Sequence, residues 1–147
     1  MLQTDQMTIW KAQICAGNEC FERCQTLSAL AHYNKAIKHA EDLLNNWIDH
    51  RAAVASVVIS YHNLADLYLR ENKAILAEHE LEKVHKKIST CLSEAVPNSY
   101  RANALIWGVS QTYIALINHQ KNHPEHVMTE PPLIPNLFEK NFKNSLN

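Results

Sequence analysis

Hydrophobic residues recur at helical spacing along most of the chain, and one stretch carries them on two faces. The first stripe, at spacings of three and four, consists of Val54, Val58, Tyr61, Ala65 and Tyr68. A second stripe on a different face consists of Val57, Leu64 and Leu67. A helix on the surface of a globular protein needs only one such stripe. The stretch therefore predicts a central helix that is packed between neighbouring helices.

The same periodicity predicts two helices before this central one, over about residues 5–24 and 26–45. The stripe of the first consists of Trp10, Ile14, Gly17, Phe21 and Cys24. Asn46 is the expected N-cap of the third helix, because Asp49 follows it at a spacing typical of a capping box. The third helix is expected to end near Arg70.

Two further helices are predicted after the central one. Asn72 is the expected N-cap of the fourth, and Pro97 ends it, because the residue before a proline avoids helical geometry. Asn98 or Ser99 then begins a fifth helix that continues to residue 123. We predict one helical domain over residues 1–123 and a proline-containing capping arm over residues 124–147.

Glycine and proline are scarce in the part of the chain that carries these patterns. Of two glycines and five prolines, only Gly17 precedes residue 97. Strong helix formers such as Ala, Leu, Glu and Lys are plentiful there. The sequence therefore predicts an all-α fold of five to six helices.

Length and charge narrow the classes of function. A chain of 147 residues is large enough for one domain with its own core. Fourteen basic and fifteen acidic residues give a net charge of −1, without the basic surplus of a nucleic-acid-binding protein. The apolar runs are much shorter than the roughly 20 residues that span a bilayer, and the N-terminus does not resemble a signal peptide. We expect a cytoplasmic protein without a nucleic-acid or membrane partner.

Small and aromatic residues repeat at a fixed offset. When Gly17 is aligned with Ala65, three further pairs coincide. They are Ala29 with Ala77, Tyr33 with Leu81, and Ala36 with Val84. A small residue on each of two helices lets the helices approach closely, and a larger residue one turn later fills the space beside the crossing. The pattern predicts two similar helical hairpins.

The spacing of these positions resembles the tetratricopeptide repeat, a helix-turn-helix unit of about 34 residues. The motif positions are Gly17, Ala29, Tyr33 and Ala36 in the first unit and Leu64, Ala65, Tyr68, Ala77 and Leu81 in the second. The final proline of the family is replaced by Glu41 and Ser89, and the two units lie about 48 residues apart. The resemblance covers about residues 10–91, and the chain resembles a member of a small uncharacterised bacterial family with such repeats. It implies a right-handed α-solenoid fragment that acts as a non-enzymatic interaction module.

In tetratricopeptide domains the first helix of each hairpin lines a groove that binds a protein or peptide. The resemblance implies a partner-binding groove that contains Lys11, Asn18, His62, Asn63, Asp66, Arg70, Trp107 and Gln111, with Ile14 and Ile59 beside them. One branch of the family holds a C-terminal carboxylate with lysines and asparagines. Asn18 and Asn63 match its asparagines, but Ile14 replaces its first lysine. The alternative is that these polar residues form an ordinary solvated face.

Cysteine and histidine supply the other candidate chemistry. Cys20 and Cys24 are four residues apart, a spacing that suits either a buried helix face or half of a metal or redox site. No Cys or His pair completes a four-ligand set, and two isolated glycines cannot build a phosphate-binding loop. We therefore predict no metal, no cofactor, no catalytic residue and no enzymatic activity.

The C-terminal arm carries five large apolar residues after its prolines: Leu133, Ile134, Leu137, Phe138 and Phe142. Burial of each is worth about 1.5–3 kcal/mol, so we expect them to be covered. They either cap the open end of the helix stack or dock on a second subunit. The hypotheses are thus an interaction module, a small metal- or ligand-binding helical protein, and a structural homodimer.

Overall fold

Five α-helices joined by short turns form the computed structural model, which describes residues 3–126. The helices are α1 (Gln3–Glu22), α2 (Thr26–Asn46), α3 (His50–Arg70), α4 (Ala74–Glu94) and α5 (Tyr100–Asn122), followed by a 3-10 turn over Pro124–His126. No strand occurs in this part of the chain, so the all-α prediction is confirmed. The apolar residues of the predicted capping arm lie outside the described residues.

The helices pack in the order in which they occur along the chain, as stacked antiparallel hairpins. The helix α3 is the central one, because it packs against α2, α4 and α5 and also touches α1. Its two predicted stripes are buried, apart from the half-buried Tyr68 at the end of the first. The prediction of a central helix between neighbours is therefore confirmed.

The predicted close crossings are present in both hairpins. Gly17 is buried on α1, and a Cβ atom there would lie 2.5 Å from Cε1 of Tyr33. Ala29, on the facing side of α2, is completely buried, as is Ala77 of the second hairpin, while Ala65 is 1% exposed. These small side chains allow the two helices of each hairpin to approach closely.

The repeat seen in the sequence is also a repeat of the backbone. The helices α2 and α4 are both 21 residues long and begin 48 residues apart, and α1 and α3 end 48 residues apart. Cys24 and Asn72, separated by the same interval, both adopt a left-handed conformation, with φ of 57° and 59°. The turn inside each hairpin is therefore built in the same way.

This turn corrects two of the sequence predictions. Cys24 does not continue the stripe of α1: it lies beyond the end of the helix and is exposed. Asn72 is not the N-cap of α4, because its left-handed conformation reverses the chain and Lys73 takes the cap position without a side-chain hydrogen bond. Asparagine tolerates this conformation better than most residues do.

The helices α3 and α5 each begin with an N-cap whose side chain accepts a backbone hydrogen bond. Asn46 is not the cap of α3 but the last residue of α2, whose helical hydrogen bonding continues to Trp47. The cap is Asp49, whose Oδ1 accepts a hydrogen bond from the backbone N–H of Ala52 at 3.0 Å. The predicted cap of α5 is confirmed, because Oγ of Ser99 accepts from the backbone N–H of Ala102 at 3.0 Å.

Candidate functional site

Two contacts fix α1 beside α3 and so set the shape of the surface between them. The indole Nε1 of Trp10 donates a buried hydrogen bond to Oγ of Ser60 at 2.8 Å. Near the other end of the helices, the guanidinium of Arg70 lies 3.7 Å from the centre of the Phe21 ring and also donates to the Phe21 carbonyl oxygen. Each is a long-range contact that ties the first hairpin to the second.

The two predicted asparagines meet between these contacts. Oδ1 of Asn18 accepts from the Tyr33 hydroxyl at 2.7 Å and from Nδ2 of Asn63 at 3.1 Å. Burial, together with the nearby Asp66 carboxylate, raises the pKa of Tyr33 to about 12, so the hydroxyl remains a hydrogen-bond donor at neutral pH. This network orients both amides at the surface between α1 and α3.

A first cavity of about 230 Å³ opens beside this network. Its lining combines two carboxylates, two amides and two aromatic rings: Glu22, Asp66, Asn18, Asn63, Phe21 and Tyr33. None of these lining residues is a lysine or an arginine. The first cavity is therefore an electronegative recess with aromatic walls.

A second cavity of about 270 Å³ lies between α3, α4 and α5. Aliphatic side chains contribute one part of its lining: Ala65, Leu69, Leu81 and Ala115. Amide, imidazole and carboxylate groups contribute the other: His62, Asp66, Asn118, His119, Asn122 and His123. Asp66 lines both cavities, and we call the surface that contains the two cavities the groove.

The two cavities occupy equivalent places in the two hairpins. Residues separated by the 48-residue repeat line both of them: Asn18 with Asp66, Phe21 with Leu69, and Tyr33 with Leu81. In each case the next helix along the chain, α3 or α5, completes the wall. The groove is therefore a repeated feature of the fold, in which the aromatic residues of the first cavity are replaced by leucines in the second.

Burial shifts the two titratable groups of α3 in the groove. It raises the pKa of the Asp66 carboxyl and lowers the pKa of the His62 imidazole, in each case because desolvation penalises the charged form. Nε2 of His62 is buried and has no hydrogen-bond partner among the described residues. At the far end of the groove, the rings of His119 and His123 lie 4.7 Å apart.

The structure brings four of the eight predicted groove residues to the two cavities: Asn18, His62, Asn63 and Asp66. Lys11 and Gln111 are exposed, but they line neither cavity. Arg70 is held against Phe21, and Trp107 lies under the guanidinium of Arg51 at 3.8 Å.

Ile14 and Ile59, the two apolar residues beside the predicted groove, differ in their exposure to solvent. Ile14 belongs to the buried core, whereas Ile59 is 39% exposed. Only Ile59 is therefore accessible to a partner.

Sequence reasoning missed several residues that line the cavities. They are Phe21, Glu22, Tyr33, Asn118, His119, Asn122 and His123, together with the aliphatic lining of the second cavity. The 48-residue offset contained a signal for some of them, because it pairs Phe21 with Leu69 and Tyr33 with Leu81. Glu22 gave no such signal, since its counterpart Arg70 turns toward α1.

The cysteines do not form a site together. Cys15 and Cys24 are exposed, Cys20 and Cys91 are partly buried, and all four are free thiols. The buried-face interpretation of Cys20 and Cys24 is thus wrong for Cys24. Within residues 3–126, no cluster of three or more His, Cys, Asp or Glu side chains has the arrangement of a metal site.

The fold and the groove define an all-helical protein of stacked hairpins with a repeated surface recess. The chain belongs to a family described as a protein of unknown function, DUF2753, whose model matches residues 8–133. This match includes most of α1 and the whole of α2 to α5. No curated protein and no solved structure matches the chain. In the described part, none of the helices is long and apolar enough to cross a membrane.

Proposed function

We propose that the protein is a non-enzymatic interaction module of the tetratricopeptide type that binds a protein or peptide in the groove. The observation that carries this proposal is the pair of equivalent cavities that meet at Asp66. A recess repeated once per hairpin suits a ligand that is itself extended and repetitive, such as a polypeptide. We further propose that the protein acts in the cytoplasm, without a nucleic-acid or membrane partner.

The sizes of the two cavities of the groove support a polypeptide over a compact small molecule as the ligand of the groove. Pockets for small molecules usually measure about 300–1,000 Å³ and enclose most of the ligand. The two cavities, of about 230 and 270 Å³, fall below this range and lie side by side on an accessible surface. Each has the size of a site for one side chain.

A homodimer is the second candidate, because large apolar residues are exposed at another place. Ile48 and Tyr100 are 81% and 88% exposed, and both line a cavity of about 430 Å³ near the N-termini of α3 and α5. Exposed apolar surface of this kind is typical of protein contacts. Light scattering on the full chain separates the two proposals, since a groove-binding monomer and a homodimer differ twofold in mass.

The proposal is tested by capturing partners on the purified full chain from a lysate of its own cells, comparing Asp66→Asn with wild type. Asp66→Asn removes the charge shared by both cavities and keeps the shape of the side chain. The matched control is Asp42→Asn, which removes an exposed charge from α2. Arg70 is unsuitable for this test, because its contacts with Phe21 hold the hairpins together.

We expect wild type and Asp42→Asn to capture the same partner and Asp66→Asn to lose it. The captured partner is then purified and its binding to the three chains is measured directly. Equal binding of the partner to all three chains would show that the groove is not its binding site. Elemental analysis of the purified chain tests the hypothesis of a metal-binding protein, because a stoichiometric metal would favour it.

A further inference from the structure

Building on the proposed function, we infer that the groove binds an extended peptide with a basic side chain in the first cavity and an apolar side chain about three residues away in the second. The chemistry of the two linings selects these side chains. The repeat of the fold sets their separation.

The charge of the first cavity selects a cation. Glu22 and Asp66 both line it, and no lysine or arginine does so. The guanidinium of Arg70 is engaged with the ring and the carbonyl of Phe21 and lies 3.9 Å from the Glu71 carboxylate. Arg70 thus already occupies one face of the Phe21 ring, which leaves Tyr33 as the aromatic wall open to a partner's cation. A lysine or arginine side chain of a partner would therefore meet two carboxylates and an aromatic wall.

Desolvation adds to this preference. Asp66 is exposed at the surface, but the walls of the groove partly desolvate its carboxyl group and so raise its pKa. No cation of the chain forms an ion pair with Asp66 within the described residues. A cation supplied by the partner would replace the lost solvation and form a charge-assisted hydrogen bond.

The second cavity provides an aliphatic patch for an apolar side chain, beside the polar groups of His62, Asp66, His119 and His123. Leucines occupy the places that Phe21 and Tyr33 hold in the first cavity, and Ala65 and Ala115 leave room between them. Asn118 and Asn122 on α5 lie beside this aliphatic lining. Their amides provide donors and acceptors for the backbone of an extended peptide, as Asn18 and Asn63 do at the first cavity.

The separation of the two cavities follows from helix packing. Because the cavities are equivalent under the repeat, they are displaced from each other by the distance from α1 to α3, two helices that touch through Trp10 with Ser60 and Phe21 with Arg70. Packed helices lie about 8–10 Å apart, and an extended chain rises about 3.3 Å per residue. The basic and apolar positions of the peptide are therefore about three residues apart.

The test uses the full chain and fluorescently labelled nine-residue peptides in a serine and alanine background, with binding measured by anisotropy. Each peptide carries one arginine, and one leucine is placed two, three, four or five residues after it or before it. A second set replaces the arginine with glutamine or glutamate, and a third replaces the leucine with serine.

The protein variants are Glu22→Gln/Asp66→Asn and, as a charge-matched control, Asp42→Asn/Glu82→Gln. The control changes two exposed carboxylates on α2 and α4. Thermal unfolding of each variant shows whether the fold is retained. All titrations are repeated at high salt, which screens interactions between exposed charges.

We expect the tightest binding at a separation of three residues in one of the two directions. Replacing arginine with glutamine, or using Glu22→Gln/Asp66→Asn, should weaken binding by about tenfold or more, as loss of a hydrogen bond between charged groups does. The control variant should bind as wild type does.

Binding that is independent of the separation, or equal for both variants, would overturn this inference. If Asp66→Asn still loses a captured partner while the peptide series shows no preference, the proposed function stands and only the basic and apolar motif is wrong. If neither the partner nor the peptides depend on Asp66, both proposals are wrong.

Discussion

Replacement of Gly17 by alanine tests whether the crossing of α1 and α2 is as close as the structure shows. The added Cβ atom would lie 2.5 Å from Cε1 and 2.6 Å from Cδ1 of Tyr33. The Tyr33 ring is buried and its hydroxyl is bonded to Asn18, so it cannot swing away without losing that hydrogen bond. We therefore expect Gly17→Ala to destabilise the fold, although alanine favours a helix.

The expected magnitude is the balance of three contributions. Overpacking a close-packed core costs about 1–3 kcal/mol. Loss or distortion of the Tyr33 hydrogen bond adds about 1 kcal/mol, and the higher helix propensity of alanine offsets about 1 kcal/mol. The net loss in the free energy of unfolding is about 1–3 kcal/mol, which lowers Tm by roughly 4 °C per kcal/mol in a chain of this size.

The assay is urea unfolding followed by circular dichroism, in a double-mutant cycle with Tyr33→Leu. In the Tyr33→Leu background the ring is absent, so only the helix propensity of alanine remains and Gly17→Ala should stabilise the chain. The reverse change at an exposed position of the same helix, Ala12→Gly, measures that propensity separately.

A change of sign between the two backgrounds is the expected result. If Gly17→Ala were stabilising in the wild-type background, the crossing would be wider than described and the basis for the stacked hairpins would be lost. If it were equally destabilising in both backgrounds, the added Cβ atom would clash with something other than the Tyr33 ring.

Three further predictions concern the contacts between the hairpins and the titration of the groove. Trp10→Phe and Ser60→Ala should each lower the free energy of unfolding by about 1–3 kcal/mol, and a double-mutant cycle should show that the losses are not additive, because both break one buried hydrogen bond. Arg70→Met should lower Tm, and Arg70→Lys should not restore it, since lysine cannot reproduce the planar stacking on Phe21; equal Tm values for wild type and Arg70→Met would refute this. Burial lowers the pKa of His62 from 6.5, so the folded chain binds fewer protons than the unfolded chain below about pH 6.5. The free energy of unfolding should therefore fall as the pH drops from about 6.5 towards the folded-state pKa. Urea unfolding of His62→Gln across this range should show a smaller change in the free energy of unfolding with pH than wild type does.

The fold was largely predictable because it depends on local periodicity. Two stripes on one helix identified α3 as central, and the pairs Gly17 with Ala29 and Ala65 with Ala77 identified the hairpins. Helix ends were less predictable, because several polar residues near each end compete for the cap. At the start of α3, Asp49 takes the role expected of Asn46.

The candidate site was predictable only where the repeat pattern reached it. Asn18, His62, Asn63 and Asp66 lie on the expected face, since helical spacing fixes the direction of a side chain. Helical spacing could not predict the contact that Arg70 makes. Its long side chain reaches across to α1, and its position is decided by a ring and a carbonyl group 49 residues earlier in the chain.

The turn inside each hairpin has a consequence for how the fold is specified. Asn72 is well suited to a left-handed conformation, but Cys24, which adopts the same conformation, is not. Two residues of such different preference adopt the same conformation, so the bend does not depend on the side chain at this position. The same backbone hydrogen bond closes each loop, from Gln25 N–H to the Cys20 carbonyl oxygen and from Lys73 N–H to the Tyr68 carbonyl oxygen, both at 2.8 Å.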